Sequence, residues 1–318
     1  MPDLRPFGGS GLRLSPLCLG GNVFGWSADE DASFAVLDAY VAAGGNVIDS
    51  ANIYSWWAPG NQGGESETIL GRWIAGRGGH DDVVVASKVG MAGGPGQPKG
   101  LTRDKIRRGI ESSPARLGVD RIDLYYAHED DPETDLAETM GAFDELVREG
   151  LVGTVAASNY PPARLAEALE VSAREGLVRF EGLQPAYNLI QRGELEDGAL
   201  EVCREHGLGI APYFTLARGF LSGKYRPGAQ LPTTPRSAGV ARDYLNDRGF
   251  AALAVVDDVA AAHDATPAQV SLAWVMAQPG ITAAIASATT PEQVRELAGA
   301  MELELTAGDL DRLEAAGR

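Results

Sequence analysis

The feature that most constrains the fold of this 318-residue chain is an eightfold alternation of short apolar runs with longer amphipathic stretches. The apolar runs are rich in Val, Ile, Leu and Ala, which is typical of strands buried on both faces and separated by helices. Eight such units in succession favour a closed (β/α)8 barrel, the TIM barrel, and an open doubly wound sheet is the alternative. No GxGxxG turn follows a strand, as dinucleotide binding in the open fold would require.

Each predicted helix follows one predicted strand. The strands are LCLGG, NVIDS, DVVVASK, IDLYYAH, LVGTVAAS, FEGLQP, LGIAPY and ITAAIAS. Helices are expected over about 29–43, 65–75, 102–117, 133–149, 161–175 and 195–205, in further segments up to about 277, and from 291 to 299. Outside the repeat lie an N-terminal β-hairpin, LRPFG and LRLSP around GGSG, and a C-terminal extra helix over about 307–316. Without internal repeats or a Pro-rich linker, one domain over residues 1–318 is expected.

Composition limits the partners and the compartment. A formal net charge of −17 argues against nucleic acid, because a phosphate backbone needs a Lys/Arg surface to replace its counterions. No window approaches the roughly 18 consecutive apolar residues of a membrane span, and the first residues lack the apolar segment of an export signal. Cys18 and Cys203 stand alone, without metal-type spacing. We therefore expect a cytoplasmic chain whose partner is a small molecule, and the oligomeric state stays open.

Polar or aromatic residues stand where the predicted strands end and the loops begin. They are Asp49, Lys88, His128, Ser158 with Asn159, Gln184, Tyr213 and Ser287. In a barrel the C-terminal ends of all strands meet on one face, where the loops build the active site. One such residue could be a helix cap, but Lys and Gln are poor N-caps and the pattern recurs in seven units. We expect these side chains to surround one site.

A tyrosine beside a lysine indicates the chemistry of this site. Asp49 and Lys88 end neighbouring strands and can form an ion pair, and Tyr54 lies in a loop that can reach Lys88. The ordinary tyrosine pKa of about 10 is high for acid–base work near neutrality. An adjacent ammonium favours the phenolate and lowers that pKa, and a carboxylate fixes the ammonium in place. Together with His128, these residues predict proton transfer.

Other barrel chemistries find less support in the sequence. No HxH pair or carboxylate cluster offers metal ligands, and His80, His206 and His263 stand away from strand ends. No Gly-flanked serine elbow and no pair of strand-end carboxylates is present. A metal-dependent hydrolase, an isomerase or a glycosidase is therefore disfavoured, and no metal is expected.

These residues and their flanking sequences resemble the aldo-keto reductase family. The matching segments are Asn46–Ser55, Gly63–Gly71, Val83–Gly90, Ile122–Asp131, Val155–Tyr160, Leu183–Arg192, Ala217–Tyr225 and Ala288–Leu297. Within the family the chain looks most like bacterial branches that also resemble potassium-channel β-subunits. The resemblance implies an enzyme that reduces aldehyde, ketone or keto-sugar carbonyls with NADP(H), NAD(H) being possible. The alternative that it allows is a cofactor-bound redox-sensing or regulatory binding protein.

The resemblance also implies the roles of single residues. Tyr54 would donate the proton, Lys88 would lower its pKa, Asp49 would anchor Lys88, and His128 would orient the carbonyl. The implied cofactor-binding residues are Gly20, Gly21 and Asn22 near the nicotinamide, Ser158, Asn159 and Gln184 at its carboxamide, Tyr213 stacked on its ring, Leu216, Arg218, Gly219 and Lys224 along the pyrophosphate, and Ser287, Thr289, Gln293 and Glu296 towards the adenosine.

The sequence departs from the family pattern where a 2′-phosphate would bind. Many relatives carry Lys or Arg between the eighth strand and its helix, whereas residues 287–290 are neutral here, and Leu297 replaces the usual asparagine. Phe214 and Thr215 replace the Ser-Pro that often follows the stacking tyrosine. A phosphate at a neutral site lacks charge-assisted hydrogen bonds of roughly 1.5–3 kcal/mol each. NADPH remains the expected cofactor on family grounds.

Two loop features bear on substrate and cofactor. Trp26, Trp56 and Trp57 fall in the loops after the first two strands and are candidates for the wall of an apolar or sugar-stacking pocket. The stretch 226–248 is long and rich in Pro, Gly and Arg. Loops of this length are often lids or disordered segments, and we expect this one to order over bound NADP(H).

Overall fold

In a computed structural model, which describes residues 2–94, 97 and 99–318, the eight predicted strands form one parallel sheet. They are β3 (Leu17–Gly20), β4 (Val47–Asp49), β5 (Val84–Val89), β6 (Ile122–Ala127), β7 (Val152–Ser158), β8 (Gly182–Gln184), β9 (Gly209–Ile210) and β10 (Ala284–Ala286). β10 pairs with β3, and the others follow in chain order to β9. An isolated parallel bridge joins Ile210 of β9 to Ile281, which precedes β10, so the two edges of the sheet meet. The predicted (β/α)8 barrel is confirmed.

Helices surround the strands. They are α1 (Glu30–Ala42), α2 (Glu65–Arg77), α3 (Arg103–Leu117), α4 (Leu136–Arg148), α5 (Pro162–Glu175), α6 (Gly193–Glu196), α7 (Ala199–His206), α8 (Ser237–Asp243), α9 (Asp247–Ala262), α10 (Pro267–Ala277), α11 (Pro291–Ala298) and α12 (Ala307–Gly317). Short 3-10 turns lie at Gly21–Val23, Ala217–Ser222 and Gly299–Met301. No helix of the described part is long and apolar enough to cross a membrane.

Two predicted helices differ from the observed ones at glycine and aspartate positions. The single helix expected over 195–205 is wrong, because Gly198 adopts φ 107° and separates α6 from α7. The helix expected from residue 133 begins at Leu136, because the Asp135 carboxylate accepts a hydrogen bond from Ala137 N and caps it there. A left-handed backbone and a competing side-chain acceptor each end helical geometry locally.

The predicted hairpin closes the N-terminal end of the barrel. Its strands, β1 (Arg5–Pro6) and β2 (Arg13–Leu14), pair antiparallel. Phe7 is fully buried in one cluster with side chains of the barrel interior. Its ring lies against Gly182 and Gly209, where a Cβ atom would come within 2.1 and 2.6 Å of it. Because the hairpin plugs this end, the C-terminal face is left for a ligand.

The stretch 226–248 forms part of that face. It contains α8 and the start of α9, and its Val240 and Tyr244 are buried. The Tyr244 ring stacks on Phe220 with ring centroids 5.9 Å apart. These contacts anchor the stretch to the Ala217–Ser222 turn. That it orders over a bound cofactor remains a prediction.

Candidate active site

A buried ion pair lies at the C-terminal end of the barrel interior. Lys88 Nζ is 2.6 Å from Asp49 Oδ2 and donates a second hydrogen bond of 2.8 Å to the Ser50 carbonyl. Asp49 is the register partner of Ala86, and Lys88 is that of Tyr126, both of which belong to the interior cluster. Because side chains two residues apart on a strand share a face, Lys88 also points inward. Strand register therefore creates the pair.

Tyr54 completes a three-membered hydrogen-bonded group. Its hydroxyl is 2.7 Å from Lys88 Nζ and donates to Asp49 Oδ2 at 3.0 Å. The loop that carries Tyr54 is held by the next residue, Ser55, which adopts φ 71° and donates from its hydroxyl to the Phe24 carbonyl at 2.6 Å. The carboxylate, ammonium and phenol thus converge although Tyr54 lies outside any strand.

Burial sets the protonation states of this group. Desolvation, together with the neighbouring Asp49 carboxylate, raises the pKa of Tyr54 well above its ordinary value. Desolvation also lowers the pKa of Lys88, and the Asp49 carboxylate opposes that change. The sequence-based expectation of a lowered Tyr54 pKa is therefore wrong for this structure, because it weighed the ammonium without the loss of solvent. The phenol is protonated throughout the neutral range.

His128 faces the same cavity as Tyr54. It directly follows β6, its backbone N–H donates to the Val89 carbonyl at 2.8 Å, and its ring lies 6.0 Å from the Tyr54 ring. Desolvation, with a smaller contribution from Lys88, lowers the pKa of His128 well below its ordinary value. Its Nδ1 is buried and has no hydrogen-bond partner among the residues that the structure describes. The imidazole is therefore neutral.

A chain of hydrogen bonds continues around the rim from Asp49. Gln184 Nε2 donates to Asp49 Oδ1 at 2.9 Å, so both carboxylate oxygens of Asp49 have donors. Ser158 Oγ donates to the Gln184 carbonyl at 2.9 Å. Tyr213 donates to Asn159 Oδ1 at 2.8 Å, and Asn159 Nδ2 donates to the His128 carbonyl at 2.8 Å. Asn159 Nδ2 also donates to Ser158 Oγ at 3.0 Å, so these residues form one connected network.

A cavity of about 580 Å³ opens above this network. Its walls include most of the residues expected from the sequence: Gly20, Asn22, Asp49, Tyr54, His128, Ser158, Asn159, Gln184, Tyr213, Leu216, Arg218, Gly219, Lys224, Ser287, Gln293 and Glu296. Lys88 is fully buried and does not line it. Gly21 and Thr289 do not line it either: Gly21 is enclosed by Ser66 and Asp49, and Thr289 bonds to Gln293.

Sequence reasoning missed Arg236, which reaches the cavity from the stretch 226–248. Its Nη2 lies 3.4 Å from Asn22 Oδ1, and Ser287 donates to the same oxygen at 2.6 Å. Burial lowers the pKa of Arg236, and the neighbouring Arg218 adds to this. Among the described residues, no carboxylate lies within ion-pair distance, 4.0 Å, of its guanidinium. No local pattern signals it, because 214 positions separate Arg236 from Asn22.

Further residues of the cavity also escaped sequence reasoning. They are Met91, Ser222, Ala268, Ile285 and Ala286. Trp57 lines the cavity, whereas its neighbour Trp56 does not. Within the described ranges, no group of three or more His, Cys, Asp or Glu side chains is placed to hold a metal ion.

Comparisons with known proteins relate this arrangement to one family. The family model described as Aldo/keto reductase family matches residues 16–318. The uncharacterized oxidoreductase YrpG of Bacillus subtilis is 36% identical over 94% of this chain and 90% of its own length. A probable voltage-gated potassium channel subunit beta of Oryza sativa is 32% identical, with 98% and 95% covered. An aryl-alcohol dehydrogenase of Pestalotiopsis microspora is 28% identical, with 95% and 79% covered.

Proposed function

The chain belongs to the aldo/keto reductase family, and from this premise we propose that it is an NADPH-dependent oxidoreductase that reduces aldehyde or ketone carbonyls, keto-sugars included, to alcohols. The observation that carries the proposal is the buried group in which Tyr54 OH lies 2.7 Å from Lys88 Nζ and 3.0 Å from Asp49 Oδ2. This group borders a cavity whose size falls within the range of roughly 300–1,000 Å³ for ligand and cofactor sites.

In this proposal Tyr54 donates its phenolic proton to the carbonyl oxygen as that oxygen gains negative charge. The hydride is supplied by the dihydronicotinamide when it is bound, because no side chain can provide one. The raised pKa of Tyr54 keeps the donor protonated, and the Lys88 ammonium stabilises the phenolate that remains. Neutral His128 donates a hydrogen bond to the same oxygen and so orients the carbonyl.

The cavity residues fit a dinucleotide cofactor. Arg218, Lys224 and Arg236 line it and can bind phosphate oxygens by charge-assisted hydrogen bonds. An arginine that lines a cavity and has no carboxylate partner can pair with an anionic ligand. Arg236 lies beside the Asn22–Ser287 pair, close to the neutral loop after β10. We infer that Arg236 supplies the cation that this loop lacks for a 2′-phosphate. Ser158, Asn159 and Gln184 are proposed to hold the nicotinamide carboxamide.

Replacing Arg236 with Gln is expected to weaken NADPH binding about 10- to 100-fold and NADH binding much less. Loss of a charged hydrogen bond of roughly 1.5–3 kcal/mol corresponds to this factor. Dissociation constants from quenching of tryptophan fluorescence measure both cofactors. Arg242→Gln, on the exposed side of α8, removes the same charge and should leave both constants unchanged. Unaltered NADPH binding by Arg236→Gln would contradict the assignment.

Aromatic side chains form one wall beside Tyr54. The Trp57 ring lies 6.2 Å from the Tyr54 ring and 5.5 Å, edge to face, from the Trp26 ring. Met91 lines the cavity as well. Such a wall favours a flat, apolar carbonyl compound. A relative named for oxidising aryl alcohols supports aromatic aldehydes or ketones among the substrates.

Replacing Trp57 with Ala is expected to raise KM for an aromatic aldehyde about tenfold while kcat changes little, since an aromatic contact contributes about 1.5 kcal/mol beyond its buried area. Steady-state kinetics with benzaldehyde and with a short aliphatic aldehyde measure the difference. The matched control is Trp56→Ala, because Trp56 is 42% exposed and does not line the cavity. Equal effects of both substitutions would argue against a substrate contact by Trp57.

The experiment that tests the proposed function is NADPH oxidation, followed by absorbance, against a panel of aromatic aldehydes, aliphatic aldehydes, ketones and keto-sugars. Turnover with at least one carbonyl class supports it. Tight NADPH binding without turnover of any class would instead favour a cofactor-bound sensing or regulatory protein. The similarity to a channel β-subunit supports that alternative.

A further inference from the structure

A second, polar cavity of about 260 Å³ lies outside the barrel interior, beside α3. It is bounded by α3 and by the loops after β4 and β5. Its described lining residues are Asn52, Gln62, Gly63, Val89, Gly90, Gln97, Lys105, Arg108, Gly109, Ser112 and Arg116. It shares none of these residues with the larger cavity, so a ligand here would occupy a separate site.

The described lining of this cavity is positively charged, whereas the chain as a whole is strongly acidic. Among its described lining residues, Lys105, Arg108 and Arg116 are cations and none is a carboxylate, although the chain has 44 acidic and 27 basic residues. Arg116 is matched by Glu67, whose Oε2 lies 2.6 Å from its Nε. Lys105 and Arg108 form no ion pair with any described side chain. Asp131 lies near Lys105 but is bonded to Leu101 N and Thr134 Oγ1. The Asp131 carboxylate keeps its charge and offsets part of that of Lys105, whereas Arg108 has no described carboxylate within ion-pair distance.

Other cations of the same helix show the contrast. Arg103 and Arg107 project from α3 towards α4, where Glu145 and Glu149 pair with them. Helix α3 thus carries one face whose cations have partners and one, at Lys105 and Arg108, whose cations face an open cavity. A protein with a large excess of acidic residues has carboxylates available to pair with such a face, so the lack of an ion pair at Arg108 points to an anionic ligand.

A buried amide provides a second, independent indication of a ligand. Asn52 is only 7% exposed and lines the cavity, and its Oδ1 has no hydrogen-bond partner among the described residues. A buried polar atom without a partner costs about 1–3 kcal/mol, so a ligand that supplies a donor here gains affinity. Ser112 adds a hydroxyl to the same wall. A ligand that combines negative charge with a hydrogen-bond donor fits both observations.

We propose that this cavity binds a phosphate group, either the free hydrogen phosphate ion or the phosphate of a small hydroxyl-bearing ester. Its anionic oxygens would accept hydrogen bonds from Lys105 and Arg108. The donor to Asn52 Oδ1 would be the P–OH of the free hydrogen phosphate ion or, for an ester, a hydroxyl of the organic substituent, because a phosphate monoester has lost its second proton at neutral pH. A halide offers no donor, and an ionised carboxylate offers only acceptors. The volume of about 260 Å³ accommodates a phosphate group with a small organic substituent.

A ligand bound at this site would stabilise the position of the loop that carries Tyr54. Asn52 stands two residues before Tyr54, and its backbone N–H donates to the Lys88 carbonyl at 3.3 Å. Val89 and Gly90, which also line the cavity, directly follow Lys88. The ligand would thus contact both segments that position the buried group while touching none of its three members.

Isothermal titration of the full chain with inorganic phosphate, at saturating NADP⁺ and constant ionic strength, tests the proposal. Saturable binding is expected, and Lys105→Gln and Arg108→Gln should each weaken it about tenfold through loss of a charge-assisted hydrogen bond. Arg121→Gln removes the same charge at an exposed position outside the cavity and should not change it. Absence of saturable binding, or equal affinity in all four proteins, would overturn the proposal.

Two further arms identify the source of the phosphate group and the importance of its proton. Glycerol 3-phosphate is expected to bind at the same site, and tighter binding than inorganic phosphate assigns the site to a phosphorylated metabolite. Equal or weaker binding assigns it to the free ion. Sulfate has the same shape without an O–H donor, so it should bind more weakly than phosphate in the wild-type protein. Sulfate binding as tight as that of phosphate would contradict the role of Asn52.

Discussion

Tyr54→Phe is expected to lower kcat for carbonyl reduction by about 10²- to 10⁴-fold, the contribution of a positioned general acid. The substitution removes only the hydroxyl that lies 2.7 Å from Lys88 Nζ, so the buried ion pair and the cavity remain. Single-turnover measurements with NADPH and a reactive aldehyde separate this loss from changes in product release. NADPH affinity should stay within about twofold of the wild-type value, a difference of less than 0.5 kcal/mol.

A matched control distinguishes this effect from loss of any buried phenol. Tyr160 is buried, its hydroxyl has no partner among the described residues, and it does not line the large cavity. Tyr160→Phe should therefore keep full activity. Retention of activity by Tyr54→Phe would show that another group donates the proton. Because the pKa of Tyr54 is raised well above its ordinary value, loss of the phenolic proton should not lower the wild-type rate anywhere in the neutral range.

Lys88→Met is expected to lower the free energy of unfolding by about 3–5 kcal/mol, the cost of leaving one member of a buried ion pair without its partner. Asp49 is 3% exposed, and its Oδ2 would keep only the Tyr54 hydroxyl as a donor. Urea denaturation followed by circular dichroism measures the change. The double variant Asp49→Asn/Lys88→Met removes both charges and should recover part of the loss. A cost below about 1 kcal/mol, typical of exposed pairs, would contradict the burial of this pair.

The features that the sequence predicted well depend on neighbours along the chain. The pattern that predicts a strand lies within a few neighbouring residues. Eight repeats of a strand followed by a helix are compatible with few architectures. Asp49, Lys88 and Gln184 were placed at one rim because Asp49 and Gln184 end their strands and Lys88 is the last residue but one of β5, and parallel strands bring their C-terminal ends together. The continuous helix expected over 195–205 failed where one left-handed glycine, Gly198, overrode the apolar pattern.

The features that the sequence could not predict depend on distance in space and on desolvation. Arg236 reaches Asn22 across 214 positions, and Trp57 rather than Trp56 lines the cavity, although the two stand side by side in the chain. That Lys105 and Arg108 form no ion pair with a described side chain is likewise known only once the carboxylates around α3 have been placed in space.

Tyr54 shows most clearly what the sequence determined and what the tertiary structure determined. The sequence determined that a tyrosine, a lysine and an aspartate would meet at one end of a barrel, because strand order and strand ends fix their approximate places. Only the tertiary structure decided the direction of the Tyr54 pKa, since packing removes solvent from the phenol and places Asp49 Oδ2 3.0 Å from its oxygen. Residue type and spacing specify which charges meet. The free energy of those charges depends on how much water the folded chain excludes.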